Sequence, residues 1–252
     1  MNRAYWEDLS DTYEEEIFSV LHRDHEGRLK GLIEEYGDRS KSAADLGCGP
    51  GQITPLLAKH FGEVHACDLS EGLLARARAK CAGFRNVSFH RSDLSSDVSF
   101  SFPPVDLVVC VNVIITADLA RRERLWQTVT GQVDRGGTLI LVLPSHESAL
   151  YANYRRLDWN LRSGLSANDA LLHSHVRHGN VAQMEIGVRE IEGVETKHYL
   201  QEEITVQLQD RSLQVEEIAK LPYDWNIEFP DPPEWMEAPY PWNWLVVARR
   251  PG

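Results

Sequence analysis

The sequence has no apolar run long enough to span a membrane, and its cysteines lack the spacing of a metal or redox site. Its beginning, Met1-Asn2-Arg3-Ala4, is too polar for a signal peptide. None of the four cysteines forms a C-x-x-C pair, and Cys67 and Cys110 lie in apolar, strand-like runs. We therefore expect a cytoplasmic protein whose thiols are buried and reduced.

Basic residues are also scarce. The 26 Lys and Arg stand against 38 Asp and Glu, which gives a formal net charge of −12. Non-specific binding to nucleic acid or to an anionic membrane requires basic surface, so we expect neither kind of partner. The length of 252 residues and the ordinary share of hydrophobic residues, 42%, predict one globular domain with ample core.

A glycine-rich stretch, Asp45-Leu46-Gly47-Cys48-Gly49-Pro50-Gly51, organises the rest of the chain. An apolar run enters it and a helical pattern of apolar residues leaves it, which predicts strand, tight turn and helix. The glycines allow positive φ angles and let a ligand lie directly against the backbone. The spacing is not G-x-G-x-x-G and no Lys-Ser/Thr pair follows, which disfavours a phosphate ligand. The acidic Asp45 suits instead a ligand that carries an ammonium group.

The D-L-G-C-G-P-G stretch resembles the first motif of class I S-adenosylmethionine-dependent methyltransferases. The segments that follow are similar to that family through about residue 144, including a G-G-x-L-I-L pattern that begins at Gly136. The resemblance implies S-adenosylmethionine as the cofactor. In that family the turn holds the amino-acid end of the cofactor, and the matching residues here are Asp45, Gly47, Cys48, Gly49 and Gly51.

Two acidic residues end the next two predicted strands. In a βαβ unit, a carboxylate at a characteristic distance after the glycine turn binds a ribose. Asp68 lies close to that distance, and Leu69 follows it. A helix cap or a turn is the alternative role for Asp68. The resemblance implies that Asp93 accepts a hydrogen bond from the adenine amino group and that the backbone of Leu94 meets the ring. An ordinary loop aspartate is the alternative for Asp93.

Further cofactor contacts are expected at both ends of this core. The apolar run 105–112 is typical of a central parallel strand, and Val111 and Asn112 lie at its carboxyl end, where doubly wound sheets bind ligands. The family's N-P-P-Y tetrapeptide is absent at 112–115, which disfavours nucleobase and glutamine-amide acceptors.

In the family a leading tyrosine closes over the methionine part of the cofactor, and Tyr13 matches it. Packing of a helix on the sheet is the alternative role for Tyr13.

Histidines provide candidates for a base and for a metal site. His146 follows the fifth predicted strand, where the topology places it near the methyl end of the cofactor, so it is our candidate general base. A helix-start or surface histidine is the alternative. The segment 173–178 has three histidines but no nearby cysteine or acidic ligand, so we predict solvated histidines and no metal. No G-x-S-x-G elbow is present.

These patterns predict an α/β fold: a doubly wound seven-stranded sheet, mostly parallel with an antiparallel edge hairpin, in a single domain of residues 1–252. The family resemblance places the seventh strand between the fifth and the sixth. We expect a polar loop at 163–180, a hairpin around 192–193, and a helix at 118–133 that ends at Gly136-Gly137. The expected segments are an N-terminal helical cap (1–40), a cofactor-binding core (41–144), an inserted cap (145–200), and a C-terminal helix with the last two strands (201–252).

The loop 222–243, between the last two strands, is rich in proline and aromatic residues. Prolines lower the entropy cost of ordering a long loop, and aromatic rings give it surface to bury. We expect a lid over the substrate. Packing against the sheet edge or against the partner in a homodimer is the alternative.

The predicted function is methyl transfer from S-adenosylmethionine to an oxygen or nitrogen atom of a small molecule. The aromatic cap favours an apolar, aromatic or amine-bearing acceptor, because ring faces also attract cations. Two alternatives are a protein methyltransferase, which needs an open groove, and a non-catalytic cofactor-binding partner subunit.

Overall fold

The computed structural model of the chain describes residues 7, 20–24, 26–96, 100–174, 184–191 and 193–252. Its strands are β1 (Ser42–Leu46), β2 (Glu63–Asp68), β3 (Val87–Arg91), β4 (Val105–Val111), β5 (Val133–Pro144), β6 (Val188–Ile191), β7 (Val194–Lys197), β8 (Gln214–Pro222) and β9 (Trp242–Arg249). Seven of them form one sheet in the order β3-β2-β1-β4-β5-β9-β8. Strand β9 is antiparallel to both neighbours, whereas β1 to β5 pair in parallel. The predicted fold, with the last strand inserted beside the fifth, is confirmed.

Helices cover both faces of the sheet. They are α1 (Val20–Arg23), α2 (Arg28–Glu35), α3 (Thr54–His60), α4 (Glu71–Lys80), α5 (Leu119–Gly131), α6 (His146–Arg162), α7 (Ala167–Ser174) and α8 (Gln201–Gln209). The side chains of Ser70, Asp118 and Ser145 accept hydrogen bonds from backbone amides at the starts of α4, α5 and α6, which caps these helices. Within the described ranges, no helix is both long and apolar enough to cross a bilayer.

Strand β5 shows how the sheet divides the core. Leu139 and Leu141 pack in one cluster with Trp126 of α5, whereas Ile140 packs in another with Leu29 of α2. Because successive side chains of a strand point to opposite faces, a strand covered on both sides is apolar throughout. The continuous apolar run in the sequence therefore identifies a central strand correctly.

Two local expectations are wrong. The segment 163–180, expected as a polar loop, contains α7, whose start is stabilised by Ser166 and Asp169: the Ser166 hydroxyl donates to Asp169 Oδ2 at 2.6 Å and accepts from Asp169 N at 3.2 Å. Helix α5 ends at Gly131, and Gly136-Gly137 lies within β5 rather than at the end of the helix. The register between β4 and β5 shifts at this point, so the glycines accommodate an irregularity in the strand.

The hairpin of β6 and β7, expected around 192–193, lies over the carboxyl ends of β4 and β5. Lys197 N donates to the carbonyl of Ile115 at 2.8 Å, and Tyr199 N donates to the carbonyl of Pro144 at 2.8 Å. The Tyr199 hydroxyl donates to the carbonyl of Ile114 at 2.6 Å. The inserted segment therefore sits at the edge of the sheet where doubly wound folds bind ligands.

The loop between β8 and β9 packs on α6. Trp225, Phe229 and Met236 form a small hydrophobic core with Ala152 of α6. The rings of Trp225 and Phe229 stack with their centroids 5.5 Å apart. This packing anchors the loop to the helix that follows β5, and the role of the loop as a substrate lid remains a prediction.

Candidate active site

A cleft opens at the carboxyl ends of β1, β2 and β4, and most of the residues expected at the cofactor line it. These are Gly47, Gly49, Asp68, Leu69, Asp93, Leu94, Val111 and Asn112. The other residues of the turn lie behind this lining, and Tyr13 lies outside the described residues. The residues share this cleft because parallel strands end at the same edge of a sheet.

The glycine turn is folded tightly against the end of β2. The backbone amides of Gly47 and Cys48 both donate to the carbonyl of Cys67, at 2.8 and 2.9 Å. Gly47 has φ +78°, and a Cβ there would overlap a methyl group of Val113. Gly51 has φ +74°, and a Cβ there would lie 2.8 Å from Cα of Ala77 in α4. Both positions therefore require glycine, one beside the cleft and one against a helix.

Asp68 is held in place by two backbone amides. Gly49 N donates to its Oδ2 and Ser70 N to its Oδ1, each at 2.9 Å. Burial raises the pKa of Asp68 above its usual range, and these hydrogen bonds oppose that rise. Because each carboxylate oxygen can accept more than one hydrogen bond, Asp68 can also accept from the hydroxyls of a ribose in the cleft.

Glu7, a residue that sequence reasoning did not single out, lies beside Asp68 at the start of α4. Its carboxylate accepts from the Ser70 hydroxyl at 2.8 Å and from the amides of Glu71 and Gly72 at 3.1 and 3.2 Å. A carboxylate is stabilised at a helix N-terminus by the exposed amides and the helix dipole. Glu7 therefore contacts the start of α4, beside the cleft residue Asp68.

Asp93 is oriented by the residue two positions after it. Its Oδ1 accepts from the amide of Ser95 at 2.9 Å and from its hydroxyl at 2.6 Å. The Ser95 hydroxyl in turn accepts from Nε of Arg121 at 3.1 Å. Ser95 and Arg121 line the cleft together with Asp93, so the expected adenine end is more polar than the sequence pattern alone predicted.

Asp45 lies behind the turn, with only 3% of its surface exposed. Its Oδ2 accepts from the hydroxyl of Thr54, at the start of α3, at 2.6 Å. Burial raises the pKa of Asp45 to about 7, and the charge of Asp68 adds to the rise. Contact between Asp45 and the ammonium group of the cofactor remains a prediction. What the structure shows is a carboxyl group that ties the turn to α3.

Cys48, also expected at the cofactor, is buried next to this carboxyl group. Burial raises the pKa of its thiol well above the usual value. All four cysteines of the chain are free and buried, as the apolar context of the thiols predicted. A protonated, buried thiol is a poor nucleophile, so Cys48 contributes to the site through packing.

Asn112 has an unusual backbone for a residue with a side chain. Its φ is +53°, a left-handed conformation that asparagine tolerates better than most residues. Its amide nitrogen donates to the carbonyl of Val142 in β5 at 2.9 Å. Among the described residues, its buried side-chain oxygen has no hydrogen-bond partner. Asn112 therefore presents an unsatisfied acceptor at the lining of the cleft, where a ligand can pair with it.

His146, the candidate base, is the first residue of α6. Its backbone amide donates to the carbonyl of Tyr199, the second residue after β7, at 2.9 Å, and His146 is not among the residues that line the cleft. Its buried Nδ1 has no partner within the described part of the chain. Burial lowers the pKa of His146, and the positive charges of Arg189 and Lys197 lower it further. The imidazole is therefore neutral at neutral pH, the state that a base requires.

Arg189 of β6 is a second residue that sequence reasoning missed. Its Nη2 donates to Oδ1 of Asn153 in α6 at 3.3 Å, and its buried Nη1 has no partner in the regions the structure describes. Burial lowers the pKa of Arg189. An arginine in a short polar strand has the sequence pattern of a solvated residue, so no local signal identifies it.

The expectation about metals concerns the histidines of segment 173–178. Residues 175–183 lie outside the described residues, so the arrangement of these histidines is not part of this structure. Elsewhere in the described ranges, no group of three or more His, Cys, Asp or Glu side chains is arranged to hold a metal ion.

Comparison with known proteins identifies the core. Residues 43–137 match the family model of the methyltransferase domain. A ribosomal protein methyltransferase of Campylobacter lari is 30% identical over 133 residues, 50% of this chain and 44% of that protein. A trans-aconitate 2-methyltransferase of Streptomyces avermitilis is 28% identical over 186 residues, 66% of this chain and 64% of that protein. The chain thus spans about half the length of these relatives.

Solved structures show the same fold over a greater length. The N-methyltransferase NodS of Bradyrhizobium japonicum, in complex with S-adenosyl-L-homocysteine, superposes with a TM-score of 0.62 and 12% identity, covering 99% of this chain and 98% of that one. A likeness at this identity concerns the fold. Together, the comparisons confirm the predicted resemblance of this core to methyltransferases.

Proposed function

We propose that this chain, whose residues 43–137 match the family model of the methyltransferase domain, transfers a methyl group from S-adenosylmethionine to an oxygen or nitrogen atom of a small molecule. The observation that carries the proposal is one cleft lined by the glycine turn, Asp68 and Asp93. A ribose and an adenine amino group are donors that these two carboxylates suit. The backbone of Gly47 and Gly49 is bare enough for the amino-acid end to lie against it.

The residues present fit this cofactor better than they fit a dinucleotide. The cleft carries carboxylates, which repel phosphates and attract a cationic sulfonium. When bound, the cofactor supplies a methyl group on a positively charged sulfur, which leaves as a neutral thioether. The protein then has to orient the acceptor in line with that methyl group and to exclude water.

His146 is the proposed base for an acceptor that must lose a proton. Its neutral imidazole would take the proton of an acceptor hydroxyl as the oxygen is methylated, or the proton of an acceptor ammonium group before its nitrogen is methylated. The unpartnered Nδ1 is the proposed proton acceptor. Its place at the start of α6, just after the carboxyl end of β5, supports this role.

A small acceptor is favoured over a protein by what covers this edge of the sheet. The hairpin is attached to Ile115 and Pro144 by backbone hydrogen bonds. The loop 222–243 is anchored on α6 through Trp225 and Phe229. The trans-aconitate methyltransferase, among the relatives, is named for a small molecule. The net charge of −12 supports neither nucleic acid nor a membrane as partner.

A protein acceptor is the second candidate, because one relative is named for a ribosomal protein. Both candidates are tested by incubating the purified chain and labelled S-adenosylmethionine with a cell extract separated into small-molecule and macromolecular fractions. We expect label in the small-molecule fraction and its loss with Asp68→Ala. Label confined to the macromolecular fraction favours the second candidate, and no transfer to either fraction contradicts catalysis.

A further inference from the structure

Three of the buried polar atoms that lack a hydrogen-bond partner in the described ranges belong to residues that follow β4 and β5 or lie in the hairpin over these strand ends. They are Oδ1 of Asn112, Nδ1 of His146 and Nη1 of Arg189. Asn112 follows β4, His146 follows β5, and Arg189 lies in the hairpin above them. Buried polar groups are normally paired, so unpaired ones on adjoining elements indicate a ligand that completes them.

The hairpin connects Arg189 to the wall of the cofactor cleft. Thr116 lines the cleft and forms an antiparallel bridge with Thr196 of β7. Thr196 is directly opposite Arg189 in the hairpin. Because directly opposite residues of an antiparallel pair place their side chains on the same face, Arg189 is one strand away from the cleft wall and on the side of Thr196.

The charges around Arg189 leave its guanidinium incompletely paired. Glu228 is close enough to raise the pKa of Arg189, but the Glu228 carboxylate accepts a hydrogen bond from the Tyr223 hydroxyl, and Nη1 of Arg189 has no partner among the described residues. The nearby ammonium of Lys197 is bound to Glu203 at 2.6 Å and to two backbone carbonyls. Arg189 is therefore the cation of this cluster that has donor capacity to spare.

We infer that the methyl acceptor carries a carboxylate and that Arg189 binds it. This inference rests on the proposed function, since it places the acceptor between Arg189 and the methyl end of the cofactor. The planar guanidinium matches the two oxygens of a carboxylate through two parallel N–H donors. The carboxylate satisfies Nη1 of Arg189, while Asn112 and His146 face the end of the acceptor that receives the methyl group.

Arg189 thus selects the class of acceptor, whereas Asp68 and Asp93 select the cofactor. A merely structural Arg189 would instead stabilise α6 through Asn153 and leave the choice of acceptor unaffected. The two roles predict different binding affinities. If Arg189 binds the acceptor, an acid binds more tightly than its matching amide, which has the same shape without the charge; if Arg189 is only structural, the two bind alike.

The experiment measures binding of mono-, di- and tricarboxylic acids, each beside its own carboxamide, to the chain loaded with S-adenosyl-L-homocysteine. The method is ligand-observed NMR. We expect at least one acid to bind, its amide to bind far more weakly, and Arg189→Gln to weaken the acid about thirty-fold or more. Arg189→Lys should retain part of the preference for the acid, because it keeps the charge but loses the fork. Arg135→Gln, an equal charge change at the exposed amino end of β5, should leave acid binding unchanged.

The inference is overturned if no acid binds, if acids and amides bind alike, or if Arg189→Gln retains the affinity of the wild type for the acid. The comparison of acid with amide uses the wild-type chain, so the test stands even where Arg189→Gln fails to fold. Failure of S-adenosyl-L-homocysteine itself to bind contradicts the proposed function instead, and the first titration of the experiment reveals that outcome separately.

Discussion

The amide of Gly49 donates a hydrogen bond of 2.9 Å to Oδ2 of Asp68. This bond joins the turn after β1 to the end of β2, the two elements expected to hold different parts of the cofactor. Asp68 therefore does two things at once: it fixes the shape of the turn and presents a carboxylate to the cleft. Any substitution of Asp68 is therefore expected to lower cofactor affinity in two ways, through the shape of the turn and through the loss of the carboxylate from the cleft.

Replacing Gly47 tests how closely the segment after β4 approaches the turn. A Cβ at this position overlaps a methyl group of Val113 and sits on a backbone with φ +78°. We expect Gly47→Ala to lower the free energy of unfolding by about 2–4 kcal/mol, from steric overlap and left-handed strain together. Adding Val113→Ala should remove the steric overlap and restore that share of the free energy of unfolding. The loss caused by the left-handed backbone, about 1–2 kcal/mol, should remain.

Urea unfolding of Gly47→Ala, Val113→Ala and the double variant measures this coupling. Purely additive effects of the two substitutions would contradict the contact. Gly51→Ala serves as a comparison, because its Cβ meets the backbone of Ala77 and no side-chain truncation relieves it.

Asp45 should reduce stability as the pH rises. Its pKa is raised to about 7 in the folded chain, so between about 4 and 7 the folded state binds more protons than the unfolded state. Its stabilising contribution is complete below about 4 and is lost as the pH rises through 7. We expect Asp45→Asn to be more stable than the wild type at pH 8, by an amount on the order of 2–4 kcal/mol.

The same substitution removes the charge expected to face the ammonium group of the cofactor, so cofactor affinity should fall while stability rises. Urea unfolding at pH 5 and pH 8, with calorimetry of cofactor binding, checks both effects. Equal stability differences at the two pH values would show that Asp45 is ionised in the folded chain.

His198 has the opposite dependence on pH. It is buried, its Nδ1 is 3.2 Å from the carbonyl of Thr196, and burial with the charge of Arg189 lowers its pKa to about 3. The unfolded chain binds the extra proton from about pH 6.5 downward, so the contribution of His198 to stability is complete above 6.5 and is lost toward 3. At pH 5 the loss should be about 2 kcal/mol.

Unfolding of the wild type and of His198→Gln at pH 7 and pH 5 isolates this contribution. The variant should lose less stability than the wild type over this interval. The same loss in both proteins would mean that His198 does not account for the acid sensitivity.

His146 is tested by the pH dependence of turnover. Because its pKa is lowered, the acidic limb of the kcat profile should lie below pH 6.5. We expect His146→Gln to lower kcat about 100-fold with an acceptor that must be deprotonated, and to leave the KM for the cofactor unchanged. Full turnover by His146→Gln would remove the residue as the base.

That the glycine turn and the two aspartates would share one cleft could be predicted because the signals are local. The glycine turn, Asp68 and Asp93 each lie at a strand end, and parallel strands bring their ends to one edge of the sheet. The capping pair Ser166 and Asp169 was equally local, so α7 was open to prediction and was missed because its surroundings are polar.

The proposed acceptor site could not be predicted in the same way. Arg189 depends on which strand ends the hairpin covers, and that is decided by contacts distant in sequence, such as Lys197 with Ile115. Composition showed that the loop 222–243 would bury its rings, but it did not show that α6 would be the surface that receives them.

Calorimetric titration of S-adenosyl-L-homocysteine into the wild type and Asp68→Ala tests the central claim most directly. The wild type should bind one molecule per chain, and the folded variant should bind it about 100-fold more weakly, since the loss of charged hydrogen bonds to a ligand costs about 1.5–3 kcal/mol and the turn is loosened as well. Equal affinity in the two proteins, with both shown to be folded by circular dichroism, would contradict the account.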